Sequence, residues 1–156
     1  RRGISPADFA VNHPAGSLGK QLTMTVTDLM VPVANLQPMA LHTPLPEVIS
    51  RLTQGTIGSS WVEDPKVPRR ILGLITDGDL RRALRDHGPE RWPALTAREL
   101  MTSDPITVST DLLAVDAIKC MEHNRRKPIS VLPVVDDHDL LIGLLRLHDL
   151  VQAGLA

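Results

Sequence analysis

The chain has 156 residues, of which 42% are hydrophobic and 22% charged, enough apolar material to core one ordinary domain or two small ones. Seventeen basic against eighteen acidic side chains leave no electrostatic footprint for nucleic acid, and three aromatics (Phe9, Trp61, Trp92) leave no platforms for stacked bases. No apolar run approaches the roughly twenty residues that span a bilayer, so neither nucleic acid nor a membrane is expected as a partner.

In chain order, Arg1-Arg2-Gly3 shows neither a secretory signal nor an initiator methionine, and the chain reads as a piece of something longer. Ser5-Pro6-Ala7-Asp8 is a helix start, with serine as N-cap and proline at the first helical position. Residues 12–16 break that helix, and 13–24 read as a linker or partly helical connector punctuated by Gly16 and Gly19. Thr25-Val26-Thr27-Asp28 is a capping box, in which hydroxyl and carboxylate each serve the other's backbone N–H. It opens a short turn carrying Leu29 and Met30. Thr43-Pro44-Leu45 with Val48, Ile49 and Leu52 forms a capped amphipathic helix at i, i+3, i+4, i+7 spacing. Gly58-Ser59-Ser60 leads into a strand over about 59–63, its small residues letting a ligand approach the backbone. Residues 64–68 make a turn, and an apolar strand over about 70–75 follows.

That strand runs into Gly73-Leu74-Ile75-Thr76-Asp77-Gly78-Asp79, and Leu80, Ala83 and Leu84 then take helical spacing. Thr76-x-x-Asp79 is a second capping box. A helix mouth exposes unpaired N–H groups and the positive end of a dipole, which seats an anion. Two carboxylates beside it repel a phosphate, however, and an acid there is better used on sugar hydroxyls. The combination suggests a nucleotide whose ribose meets Asp79 and whose phosphate meets Thr76 and the helix end; the plainer alternative is a well-capped helix. Arg81, Arg82 and Arg85 fall on the polar face and read as solvated surface, ligand contact being the alternative.

From there the chain restates itself. Thr25-x-x-Asp28-Leu29-Met30 returns as Thr96-x-x-Glu99-Leu100-Met101, and Gly73 and Asp79 return as Gly143 and Asp149. A second amphipathic helix begins at Thr110 and runs through Leu112, Val115, Ile118 and Met121. Within it, Cys120 excludes an internal disulfide and reads as core filler in a reducing compartment, so a cytoplasmic location is expected. Arg125-Arg126-Lys127 either border a ligand's anionic groups or form an exposed loop. Strands over about 130–135 and 140–145, joined by a turn at 136–139, complete the copy. Pro133 cannot donate to a ladder and should end or edge its strand. His148 faces either a second cleft or solvent. The six histidines show no metal-ligand spacing, and no metal is expected.

The expected fold is α/β (α+β): tandem repeats, each a small three-stranded sheet with helices on one side, packed as a pseudo-twofold pair. Residues 1–24 lead in, 25–90 form the first repeat and 91–156 the second. A repeat this short cannot bury its own sheet face, so the copies pack together. Their matched acid turns suggest paired clefts.

A Gly-h-x-Thr/Ser-x-x-Asp pattern behind two strands, duplicated and preceded by Asp-Leu-Met, resembles the CBS-domain pair, a module that senses adenosyl and other nucleotides. The resemblance covers about 25–155. Residues 73–79 fit that family's ribose–phosphate motif at every fixed position, whereas Arg146 stands where the second copy should carry a hydroxyl. An arginine there can instead grip a carboxylate or phosphate in a fork geometry. Residues 8–20, Asp8-Phe9-Ala10-Val11-Asn12-His13-Pro14-Ala15-Gly16-Ser17-Leu18-Gly19-Lys20, resemble the junction in bacterial arabinose-5-phosphate isomerases where a sugar-isomerase (SIS) domain ends and a CBS pair begins. The resemblance implies a parent enzyme that interconverts ribulose 5-phosphate and arabinose 5-phosphate on the way to Kdo. It makes residues 1–24 the end of the SIS domain with its linker, and His13 the match of an active-site histidine. No sugar pocket accompanies His13, so this chain alone is expected to be catalytically inert. Also implied are no cofactor and a regulatory nucleotide in the inter-repeat cleft, CMP-Kdo favoured over AMP or ATP. Its ligand residues would be Thr76, Asp79, Gly58, Ser59, Ser60, Lys127, Pro133, Arg146, His148 and Asp149. The partners implied are a second copy through the CBS pairs (a tetramer in the parent) and the chain's own SIS domain. The rival expectation is a pure assembly module.

Overall fold

The computed structural model describes residues 18–54, 58–124 and 129–156. The Ser5 helix start, His13 and the 125–127 cations lie outside them. Helices α1 (Leu18–Thr23) and α2 (Val26–Leu29), strand β1 (Val31–Pro32) and a 3₁₀ turn (Val33–Asn35) lead into α3 (Leu45–Gln54). The hairpin β2 (Ser59–Glu63) and β3 (Ile71–Thr76) then feeds α4 (Asp77–Asp86). After a 3₁₀ stretch (Pro89–Ala94) the order returns: α5 (Ala97–Leu100), β4 (Thr102–Ser103), β5 (Val108–Ser109), α6 (Ala114–Glu122), β6 (Val131–Val135), β7 (Leu141–Arg146) and α7 (Leu147–Gln152).

The leaders are exchanged. β4, which precedes the second copy, pairs with β3 of the first, and β1 pairs with β7 of the second. The helices follow their strands: Val26 of α2 joins the core of Ala114, Ala117, Leu132 and Leu145, while Ala97 and Leu100 of α5 join that of Leu45, Val48 and Ile75. A close approach fixes each exchange. A Cβ on Gly73 would strike Met101, and one on Gly143 would strike Met30 and lie 2.6 Å from the carbonyl oxygen of Val31. The recurring Asp/Glu-Leu-Met and the recurring glycine are therefore two sides of one contact, made crosswise.

Three expectations are corrected. The sheets are unequal, β2-β3-β4 against β1-β7-β6-β5. The fourth strand, β5, runs parallel to β6; its counterpart in the first sheet is reduced to one parallel bridge, Met39 to Val62. Secondly, neither threonine opens its helix. Thr43 spends its hydroxyl accepting the Ala40 N–H (3.1 Å), and Pro44 supplies the first carbonyl of α3. Helix α6 begins at Ala114 rather than near Thr110, because the leader holds the preceding backbone extended: Val26 N–H donates to Leu112 and Ala114 N–H to Met24. Thirdly, β6 runs straight through Pro133. The bond from Leu147 N–H to the Ser130 carbonyl sets the alternation in which residues 130, 132 and 134 bond β7. The missing N–H of Pro133 therefore points away from β7, just short of where β5 begins opposite Val134.

Side chains alternate along all four hairpin strands. Val62, Ile75, Leu132 and Leu145 face the helices, while Trp61, Leu74, Val131 and Leu144, with Leu141, form a core between the sheets. Fully burying a Val, Leu or Ile side chain such as Leu132, Leu144 or Ile75 contributes roughly 1.5–3 kcal/mol over its exposed state. The layers are thus helices, sheet, sheet, helices. The corners match too: Arg69 and Asp139 both take positive φ (66° and 63°), and Leu141 N–H donates to the Arg69 carbonyl at 2.7 Å. Among the described residues, no helix is long and apolar enough to cross a membrane.

Candidate ligand-binding cleft

Strand β3 ends at Thr76 because the residue caps α4. Its Oγ1 accepts the Asp79 N–H at 3.2 Å, and Asp79 Oδ2 accepts the Thr76 N–H (2.9 Å) and hydroxyl (3.0 Å). The box leaves Asp79 4% exposed. Its other oxygen, Oδ1, takes the Thr102 hydroxyl at 2.9 Å and an ion pair from Arg82, one turn along α4. Thr102 is in reach only because β4 crosses over.

The second turn has the same backbone and a different cap. Arg146 N–H donates to Asp149 Oδ2 at 2.9 Å, but a guanidinium has no acceptor to return to the helix. It forks instead onto the acid it caps, Nε to Oδ2 at 3.1 Å and Nη2 to Oδ1 at 2.6 Å.

Residues of both turns line a cleft of about 930 Å³. The first repeat supplies Gly58, Leu74, Thr76, Asp77, Gly78, Asp79, Arg81 and Arg82. The crossed leader adds residues 102–106, and the second repeat adds Asn124, Ile129, Ser130, Val131, Arg146, Leu147 and His148. Leu74, Pro105, Ile106, Ile129 and Val131 form an aliphatic bed without an aromatic ring. Arg81, Arg82, Arg146 and His148 face Asp77, Asp79 and Asp104, so the cleft is mixed in charge.

Of the residues singled out from sequence, Thr76, Asp79, Gly58, Arg146 and His148 line this cleft. Gly58 also needs its positive φ of 66°, which a side chain would strain. Ser59, Ser60 and Pro133 are buried in strands and are not lining residues; the Ser60 hydroxyl donates to the Gln37 carbonyl at 3.2 Å. Asp149 sits behind Arg146 and is not part of the lining either. Lys127 lies outside the described residues. Sequence reasoning missed Thr102, Asn124 and Ser130, and for Arg82 it put solvated surface ahead of ligand contact. Thr102 directly follows Met101, and the Met101–Gly73 contact across the exchange sets it beside Asp79. Among the described residues, no cluster of His, Cys, Asp or Glu could hold a metal ion.

A CBS domain matches residues 97–156. Arabinose 5-phosphate isomerase KdsD of Pseudomonas aeruginosa is 39% identical over 153 residues, 98% of this chain and 45% of that enzyme. The chain thus spans less than half the length of this curated relative. The crystal structure of CBSX2 in complex with AMP superposes with a TM-score of 0.69 at 25% identity, over 85% of this chain and 96% of CBSX2. The ATP complex of the CBS domain of a bacterial CNNM/CorC family Mg2+ transporter shares the fold at a TM-score of 0.71 and 17% identity, over 87% and 90% of the two chains. The chain belongs to the CBS-domain family, as a CBS pair similar over nearly its whole length to part of a bacterial arabinose 5-phosphate isomerase.

Proposed function

We propose that this CBS pair is a regulatory sensor that binds a nucleotide between its repeats and biases the catalytic domain of an arabinose-5-phosphate isomerase. The observation that carries the reading is Asp79, a nearly buried carboxylate that still lines the cleft, set at the mouth of the ten-residue α4. Ribose hydroxyls replace Thr102 and Arg82 as donors to Oδ1. Arg82, 38% exposed, swings toward the phosphate, which also meets the N-terminal N–H groups of α4. The base rests on Leu74, Ile106 and Val131. The AMP bound by CBSX2 supports a nucleoside monophosphate as the common part of the ligand. CMP-Kdo is favoured among such ligands because it would report the end product back to an early enzyme, and its acidic sugar suits the Arg146 and His148 side. Regulation then requires only that the ligand prefer one arrangement of the repeats over another, in a homo-oligomer whose catalytic domains differ in activity between the two.

Calorimetric titration of the chain with CMP-Kdo, CMP, AMP and ATP tests this. Heat is expected from at least one, with affinity at least tenfold weaker in D79N. Silence from all four defeats the sensor, and heat from adenine nucleotides alone defeats the CMP-Kdo version. One observation favours a second reading: Thr76, Thr102 and Arg82 already satisfy Asp79 without a ligand. An assembly module built that way would show concentration-dependent mass and no thermal shift. A sensor at a hundred times its Kd would instead gain about 2.7 kcal/mol.

A further inference from the structure

The two halves of the cleft share a frame, yet only one acid reaches the open space. Asp79 is a lining residue at 4% side-chain exposure, whereas Asp149, at 12%, is not. The surface presented to the cleft at this point is Arg146. The guanidinium occupies both carboxylate oxygens, while the N-cap N–H holds Oδ2 as well. The arginines differ in tether. Arg82 reaches its acid with one nitrogen from three residues along the helix and is 38% exposed. Arg146 is held at the N-cap by its own backbone, forks onto the acid, and is 19% exposed.

We infer that Arg146 is a built-in plug that closes the second half of the cleft to ribose, so that the chain binds one nucleotide, at Asp79, and not two. The inference rests on the sensor reading for the first half. Sugar hydroxyls would have to displace a two-pronged charged pair to reach Asp149, whereas the bonds described at Asp79 Oδ1 come from a single nitrogen of the more exposed Arg82 and from the Thr102 hydroxyl. The arginine is thus a specificity-determining residue: its N–H groups not turned to Asp149 still attract anions, while the acid behind it is withdrawn from sugar recognition.

The test is calorimetric stoichiometry with AMP and CMP on four proteins: wild type, D79N, R146T and R146S, each checked for its fold by circular dichroism. R146T restores hydroxyl-x-x-Asp and uncovers Asp149. The expected result is one site in the wild type, lost in D79N, and two in R146T and R146S, the second weaker because α7 is only six residues long. Two sites in the wild type, or one in both Arg146 variants, overturns the plug. A silent wild type with one site gained in R146T keeps the plug and refutes sensing at Asp79; silence in all four refutes both.

Discussion

The two acid turns share backbone geometry and differ in one side chain, and that difference changes what each carboxylate is for. In both, the acid accepts the N-cap N–H at 2.9 Å. Thr76 also returns a hydroxyl oxygen to the helix, and Asp79 pairs instead with Arg82, a side chain 38% exposed. Arg146 has nothing to return and neutralises Asp149 itself. A motif's acid is defined as much by what holds its charge as by its place in the motif. With a removable partner it can serve a ligand; with its own cap as partner it is a structural counter-ion.

The same frame is filled unequally between the sheets. Trp61 faces Leu74 in the first hairpin, and the matching position of the second, facing Leu144, is Pro133. Trp61 is 1% exposed and is the largest side chain of the inter-sheet core. W61A should show the largest stability loss of the variants considered, about 3–5 kcal/mol by urea denaturation, and P133A should stay within about 1 kcal/mol. Equal losses would mean that the two hairpins share the burden of sheet packing, contrary to the geometry.

Next in size is the contrast between the two glycines. Both lie under a methionine from the opposite leader, but Gly143 also lies under a backbone oxygen. Rotation of Met101 carries its Sδ and Cγ away from an added methyl group and leaves its Cβ at 2.9 Å, whereas the Val31 carbonyl oxygen, at 2.6 Å from the methyl position on Gly143, is held by the pairing of β1 with β7. G143A should therefore cost about 2–3 kcal/mol and G73A about 1, within the usual range for overpacking. A reversed order in urea melts would show that β1 yields more easily than Met101.

These contrasts bear on what could be read from the sequence. The hairpins were legible because apolar runs bounded by Asp- and Pro-rich turns are local signals, and residues 59–63 fell where expected. Thr76-x-x-Asp79 was legible for the same reason: a capping box involves four consecutive residues. The exchange of leaders was not, since a two-residue strand such as Val31–Pro32 carries no mark of which hairpin it will join. The miss of Thr102 follows from that. Thr102 reaches Asp79 only across the exchange, and the extended backbone before α6 is held by residues nearly ninety positions earlier in the chain. For Arg82 the two readings stayed open in the sequence, since helical spacing gives its face but not that Asp79 lies buried beside it.

The smallest predicted effect separates the two hairpin turns. Asp64 and Asp136 occupy matching positions after β2 and β6. Asp64 accepts one backbone N–H, from Lys66 at 2.8 Å; Asp136 accepts two, from His138 at 2.8 Å and Leu140 at 3.0 Å. The Leu140 and His138 N–H groups hold the Asp136 carboxyl below its ordinary value of 3.8, with the charges of His138 and Arg69 adding to the effect. A carboxyl lowered in the folded state binds its proton more tightly when unfolded, so its stabilising contribution is complete above the ordinary value. That contribution is lost as pH falls from about 3.8 through the lower folded value. D136N keeps an oxygen acceptor but cannot titrate. Its melting temperature should therefore lie below that of the wild type at pH 6, and the gap should close on acidification to pH 2.5. D64N, with one N–H bond at stake, should show a smaller gap at pH 6. A wild-type-minus-D136N difference that stays constant from pH 6 to pH 2.5 would show that the second turn draws nothing from its charge.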